Sequence, residues 1–169
     1  MFRLIARYVG WLHTRWPAGT VEPLPEVREH GRTSIPGVYV AGDLTGIPLL
    51  KFALDSGARV ARDVARDPAV GASRAADVEP EALRGDRPAL DLVIVGAGVA
   101  GMAAAVEARR SGLRFEVLEA TEPFSTLVNF PRAKPIFTYP RAMTPTGQLQ
   151  VTADVKEGLV EELRAQVER

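Results

Sequence analysis

The stretch DLVIVGAGVAGMAAA, Asp91 to Ala105, decides the fold. Leu92 to Val95 run without a polar break, as expected of a strand buried in a parallel sheet. Gly96, Gly98 and Gly101 follow as G-x-G-x-x-G, and a helix is predicted from Val99 to about Ser111, stopping near Gly112. Each glycine has a physical task at this spacing. Gly96 permits the tight turn out of the strand, Gly98 lets the backbone approach a pyrophosphate, and Gly101 lets helix and strand pack closely. The free N–H groups of residues 98–101, including those of Val99 and Ala100, combine with the helix dipole to favour an anion.

Downstream, RFEVLEA, Arg114 to Ala120, reads as a second strand, closed by Glu119 and Ala120. Glu119 falls roughly 20 residues after the glycines, where a carboxylate accepts hydrogen bonds from an adenosine ribose. An acid there repels a 2′-phosphate, so FAD or NAD is preferred over NADP. Residues 121–150 are proline-rich and without a clear period, and are expected to form a long loop that lines a site. Asp154, with Glu157 three residues on, has a capping-box pattern and is predicted to start a helix. Val155, Leu159, Val160, Leu163 and Val167 are its expected buried face.

Upstream, residues 66–89 are rich in Ala, Pro, Gly and charge and read as a linker. Before them, IPGVYVAGDLTG, Ile35 to Gly46, reads as a short strand over residues 38–42 that ends in Gly42 and Asp43. Such a turn at the carboxyl end of a strand is where open α/β sheets bind ligands, although a surface aspartate capping the next helix explains it equally well. From Pro48 to about Arg66, Leu49, Phe52, Ala53, Val60 and Val64 mark a helical stripe. Residues 21–34 carry prolines at 23 and 25 and can be at most an edge strand. Residues 2–16 show helical spacing at Leu4, Ile5, Tyr8 and Leu12. This helix is expected to dock on its own domain, the alternative being a weak contact with a membrane surface or a protein partner.

The 169 residues suffice for one ordinary domain. Lys+Arg and Asp+Glu are 21 each, so there is no basic excess for a nucleic-acid surface. The chain has no cysteine, which excludes disulfides and thiolate metal sites within it, and its two histidines do not suggest a metal centre. No apolar run reaches the ~18 residues of a membrane span. The N-terminus lacks the features of a signal peptide, and the cytoplasm is the expected location.

The two glycine-bearing pieces resemble the FAD-binding halves of FAD-dependent pyridine nucleotide oxidoreductases, in particular the thioredoxin-reductase-like group. DLVIVGAGVAGMAAAVEARRSGLRFEVLEA is similar to that family's amino-terminal fingerprint, and TSIPGVYVAGDLTGIPLLKFALDSGARVARDV to its carboxy-terminal motif. FSTLVNFPRAKPIFTYP is more loosely similar to a loop of the bacillithiol-disulfide-reductase-like members. The resemblance implies an α/β fold, a Rossmann-like parallel sheet flanked by helices, with FAD as cofactor. It places the pyrophosphate at Gly98–Gly101, the adenosine ribose at Glu119, and the ribityl chain at Asp43. Backbone N–H groups of Leu50, Lys51 and Phe52 would face the flavin pyrimidine side. Lys51 would be either a plain solvated lysine or a cation near the ring, where a positive helix end favours negative charge.

The chain departs from the family in three ways. It has no second glycine fingerprint and hence no nicotinamide-binding domain, it has no C-x-x-C, and its FAD domain ends at a helix where a further strand is expected. NAD(P)H is therefore expected only through a domain supplied in cis or in trans, and the chain is expected to be the front part of a longer protein or one subunit of a split one. A homodimer is compatible with this organisation. The motif order is also reversed. The expected organisation is residues 1–66 carrying the carboxy-terminal-type motif, 67–89 as linker, and 90–169 as the first part of the FAD domain. Strand 38–42, its helix and strand 92–95 would then form a right-handed βαβ crossover, with Asp43 and Gly98 at one sheet edge and sharing one FAD. The alternative is a junction of two flavoprotein units, in which Asp43 serves a different cofactor. A non-catalytic dinucleotide-binding or assembly module, or a fingerprint that binds NAD, also fits.

Overall fold

A computed structural model describes residues 25–71 and 89–168. The N-terminal helix expected over 2–16 and most of the expected linker lie outside those residues.

Among the described residues the helices and strands are α1 (Leu50–Ala65), β1 (Leu92–Val95), α2 (Val99–Arg110), β2 (Phe115–Leu118), a short α3 (Ser125–Val128) and α4 (Lys156–Val167). Residues 68–71 add one further helical turn after α1. Among the described residues the sheet has two strands. β1 and β2 pair in parallel, Leu92 opposite Phe115 and Val95 opposite Leu118. The Gly96 N–H donates to the Leu118 carbonyl at 2.7 Å, which carries the pairing into the glycine turn.

The fold is thus a mixed α/β unit with a small parallel sheet, as expected of a partial Rossmann-like arrangement. The sheet departs from expectation in two places. β1 was expected to be buried on both faces, but only alternate residues are covered. Ile94 is buried, while Val95 is 83% exposed and Val93 and Leu118 are also open. Side chains alternate across a strand, and α1 and α2 cover one face only.

Residues 38–42 were expected to be a strand of this sheet, the first arm of a βαβ crossover. Instead Tyr39 makes an isolated antiparallel bridge with Arg32, and Gly42 opens a 3-10 turn, Gly42–Thr45. The Val40 N–H donates to the Gly31 carbonyl at 2.8 Å, so the backbone bonding of this stretch is spent on the preceding segment rather than on β1. Tyr39 and Ala41 still pack, as Leu92 does, against the cluster that contains Ile94.

Helix α2 is the hub. Its residues Met102 to Ala108 are all buried, and they serve two apolar clusters. Met102, Ala103 and Val106 pack with Leu54, Phe124, Leu149, Leu159 and Leu163. Ala104, Ala105 and Ala108 pack with Val60, Ala61, Val64, Ile94 and Leu113. A helix buried around most of its circumference needs small residues where backbones meet, and the alanines supply them. The expected stripe of α1 is only partly the buried one. Ala53, Val60 and Val64 are buried, but Leu49 is exposed, and Lys51, Leu54, Asp55, Gly57, Ala58 and Ala61 complete the covered face.

The Asp154–Glu157 capping box does not form. Val155 is the N-cap residue of α4 and no side chain caps it. Glu157 instead accepts a hydrogen bond from the Ala133 N–H at 3.1 Å. Val155 bridges to Pro135 as extended chain, so the segment before α4 is set by the long loop opposite it. Leu159, Val160 and Leu163 are buried as expected, Val167 is partly buried, and Val155 is exposed.

Candidate functional site

Gly96 leaves β1 with φ +96°, a conformation that favours glycine. A Cβ on Gly101 would lie 1.9 Å from the Gly96 carbonyl oxygen and 3.4 Å from Ile94 Cγ2, so only glycine lets α2 rise this close to its own strand. A Cβ on Gly98 would meet nothing within 4 Å. Gly98 is exposed and is the N-cap residue of α2, without a capping side chain. The first bond of the helix runs from the Met102 N–H to the Gly98 carbonyl, at 2.9 Å. The N–H groups of Gly98, Val99, Ala100 and Gly101 have no acceptor among the described residues. Open donors, a positive helix end and free space above Gly98 make a cradle that suits a phosphate.

Glu119 stands just past the end of β2 and is already engaged with that cradle. Its carboxylate accepts from the Ala97 N–H at 2.7 Å, from the Thr121 N–H at 3.0 Å and from the Thr121 hydroxyl at 3.2 Å. The Ala97 N–H, followed by that of Thr121, holds its pKa below the usual carboxylate value. Each carboxylate oxygen can accept more than one bond, so a ribose can still be held there. Ala120 beside it is exposed.

The second motif comes close to the first. Gly42 has φ +78°, and a Cβ there would lie 3.0 Å from Ala100 Cβ, in the first turn of α2. The Gly42 N–H donates to Ser56 Oγ at 2.9 Å, and its carbonyl accepts from Thr45 Oγ1 at 2.8 Å. Asp43 is exposed, and its side chain has no partner among the described residues. The two motifs therefore meet, but through the 3-10 turn and helix α2, and not as neighbouring strands.

What holds them together is a helix crossing. A Cβ on Gly57 of α1 would fall 2.0 Å from the Ala100 carbonyl oxygen and 2.8 Å from its carbon. Ala53, Gly57 and Ala61 lie every fourth residue along α1, and Ala100, Ala104 and Ala108 do so along α2. These two ridges of small residues bring the helix backbones together. Gly57 and Ser56 were not singled out in the sequence. Their signal was the small-residue spacing within SGARVA.

At the N-terminal end of α1, the backbone N–H groups of Leu50, Lys51 and Phe52 have no acceptor among the described residues, and the N-cap Leu49 offers no side-chain bond. The Lys51 side chain is neither solvated nor turned outward. It is 8% exposed, and its Nζ donates to the carbonyls of Pro140, Arg141 and Met143. Asp55, one turn on, accepts from the Thr146 N–H at 2.9 Å and hydroxyl at 2.8 Å, and pairs with Arg59 at 2.7 Å. Glu107, 2% exposed, pairs with Arg62 at 3.1 Å and accepts from the Gln148 N–H. The long loop is thus tied down by buried charges of α1 and α2, none of which the apolar pattern revealed.

Among the described residues no helix is long and apolar enough to cross a membrane. A family model described as an FAD binding domain matches residues 91–130, the span that holds β1, α2, β2 and α3. No curated protein and no solved structure matches the chain. The family match supports FAD binding by this segment, of the kind found in flavoprotein oxidoreductases.

Proposed function

We propose that the chain is the FAD-binding part of an NAD(P)H-dependent flavoprotein oxidoreductase of the thioredoxin-reductase-like group. The nicotinamide-binding domain is supplied in cis or in trans, and the Gly98 and Asp43 motifs share one FAD despite their reversed order. The observation that carries this reading is the contact of Gly42 with Ala100, which sets the Asp43 turn beside the glycine cradle.

The residues present fit the cofactor. Gly98 to Gly101 would hold the pyrophosphate through open N–H groups, and Glu119 and Ala120 would border the adenosine ribose. Gly42 and Asp43 would hold the ribityl chain. The N–H groups of Leu50, Lys51 and Phe52 would face the pyrimidine side. FAD, when bound, supplies the two-electron redox chemistry. The chain's own residues bind and orient it.

The test is a thermal-shift comparison of FAD and NAD on the purified chain, since a ligand that binds only the native state raises its stability by mass action. FAD is expected to raise the midpoint and NAD to leave it unchanged. A shift with NAD alone would turn the reading to a nicotinamide fingerprint, and no shift with either would refute it. A second reading, a non-catalytic assembly module, is favoured by the open apolar face of β1 and β2. It predicts FAD binding with no NAD(P)H oxidation even after the partner domain is added.

A further inference from the structure

Lys51 occupies an uncommon position. It sits in the first turn of α1, where the helix dipole disfavours a cation, and it is buried, with no carboxylate pairing to it among the described residues. Its ammonium has three protons and meets three carbonyl oxygens, at 3.0 Å (Pro140), 3.4 Å (Arg141) and 2.6 Å (Met143). A buried charge is tolerated when its hydrogen bonds are made, and here the loop makes them.

Among the described residues the first turn of α1 has no other fastening of this kind. Its N-cap is a leucine, whose side chain cannot accept from the open N–H groups of the first turn. The loop in turn presents an exposed aromatic pair beside the latch. Phe137 is 72% exposed and stacks on Tyr139 with ring centres 6.3 Å apart, and the Arg141 guanidinium lies over Tyr139 at 5.8 Å.

We propose that Lys51 is a positioning residue of the FAD site: by latching residues 140–143 to α1 it fixes the N–H donors of Leu50 to Phe52 and the wall formed by Phe137, Tyr139 and Arg141. This rests on the FAD reading above. It assigns the Lys51 side chain to the loop, while the Lys51 backbone faces the cofactor.

The Arg141 carbonyl held by Lys51 belongs to the peptide bond that trypsin would cut. The experiment is limited trypsinolysis and FAD fluorescence titration of the full chain as wild type, Lys51→Met and Lys51→Arg. The cut after Arg132, in the same loop but outside the latch, is the internal reference. Hydrogen bonds to a charged group support at least about a tenfold effect. Lys51→Met is expected to speed cleavage after Arg141 by that factor without changing cleavage after Arg132, and to weaken FAD binding about tenfold. Lys51→Arg should restore most of both. In the wild type, FAD should slow the Arg141 cut.

Equal acceleration at both sites would overturn the latch. Faster cleavage at Arg141 with unchanged FAD affinity would overturn the positioning role and leave a purely structural one. If Lys51→Met does not fold, protection of the wild-type Arg141 bond by FAD decides, and its absence refutes the proposal. A wild type that binds no FAD refutes the reading of the site itself, whereas a wild type and Lys51→Met that bind equally refute only the role of Lys51.

Discussion

Gly57→Ala separates two physical arguments that predict opposite signs. Gly57 lies inside α1, and helix propensity alone says that alanine there stabilises by about 1 kcal/mol. Packing says the reverse. The added methyl would lie 2.0 Å from the Ala100 carbonyl oxygen, 2.8 Å from its carbon and 3.1 Å from its Cα. All three are backbone atoms, so no rotamer change relieves the clash, and the helices must part by about 1 Å or more. Overpacking costs about 1–3 kcal/mol, and an overlap with rigid backbone belongs at the upper end. The balance is a net destabilisation of about 2 kcal/mol, read as a lowered urea midpoint at unchanged slope. Parting α1 from α2 also draws the Gly42 turn away from Ala100, so FAD affinity should fall as well. A Gly57→Ala chain that is as stable as the wild type, or more so, would show that propensity wins and that the close crossing is not what joins the two motifs.

Two further outcomes are expected. Arg62→Ala leaves Glu107 buried without its main partner, keeping among the described residues the Gln148 N–H and a distant Arg110. Removing one member of a buried pair costs about 3 kcal/mol, and a urea-denaturation change below 1 kcal/mol would refute the assignment. The carboxyls of Glu119, Glu157 and Glu162 are all held below their usual pKa. For Glu119 the cause is the Ala97 N–H and then that of Thr121; for Glu157 it is the Ala133 N–H first. For Glu162 burial pushes upward, but the hydrogen bonds from Thr152 and Ala153 outweigh it. Carboxyls with depressed folded values contribute stability above the ordinary carboxylate range and lose it as pH falls through the lower folded values. The melting temperature should therefore drop on acidification below about pH 4.5, and Glu119→Gln should flatten that slope; a wild-type profile flat down to pH 3 would refute it.

How much could be read from the sequence depended on how local the cause was. β1, α2 and β2 were legible because G-x-G-x-x-G joins a strand to a helix by backbone sterics that act within a few residues. The ends of α1 and α2 came within two residues or so, through Pro48 and Gly112. The strand at 38–42 was misread because its composition favours extended chain, yet which edge it pairs with depends on residues elsewhere, and Gly31 and Thr33 take its hydrogen bonds. The capping box at Asp154 failed for the same reason, with Glu157 claimed by Ala133 across the loop. Lys51 was least legible. Its partners lie about ninety residues on, at carbonyls that carry no side-chain identity, so no pattern around residue 51 could announce them.

The failed strand also changes what the reversed motif order requires. Had residues 38–42 joined the sheet, the two motifs would have met through strand pairing, and the order of the chain would have had to satisfy a crossover connection. In the structure they meet through Gly57 on Ala100 and Gly42 on Ala100, a contact between a helix, a turn and a second helix. Such a contact depends on small residues at the crossing and not on which piece comes first. Residues 66–89 need only reach from the end of α1 to the start of β1, and about 20 residues of chain can span some 60 Å when extended. The juxtaposition of Asp43 with the glycine cradle thus survives the loss of the strand that was expected to produce it, and the small-residue ridges of α1 and α2 become the feature on which the proposed sharing of one FAD depends.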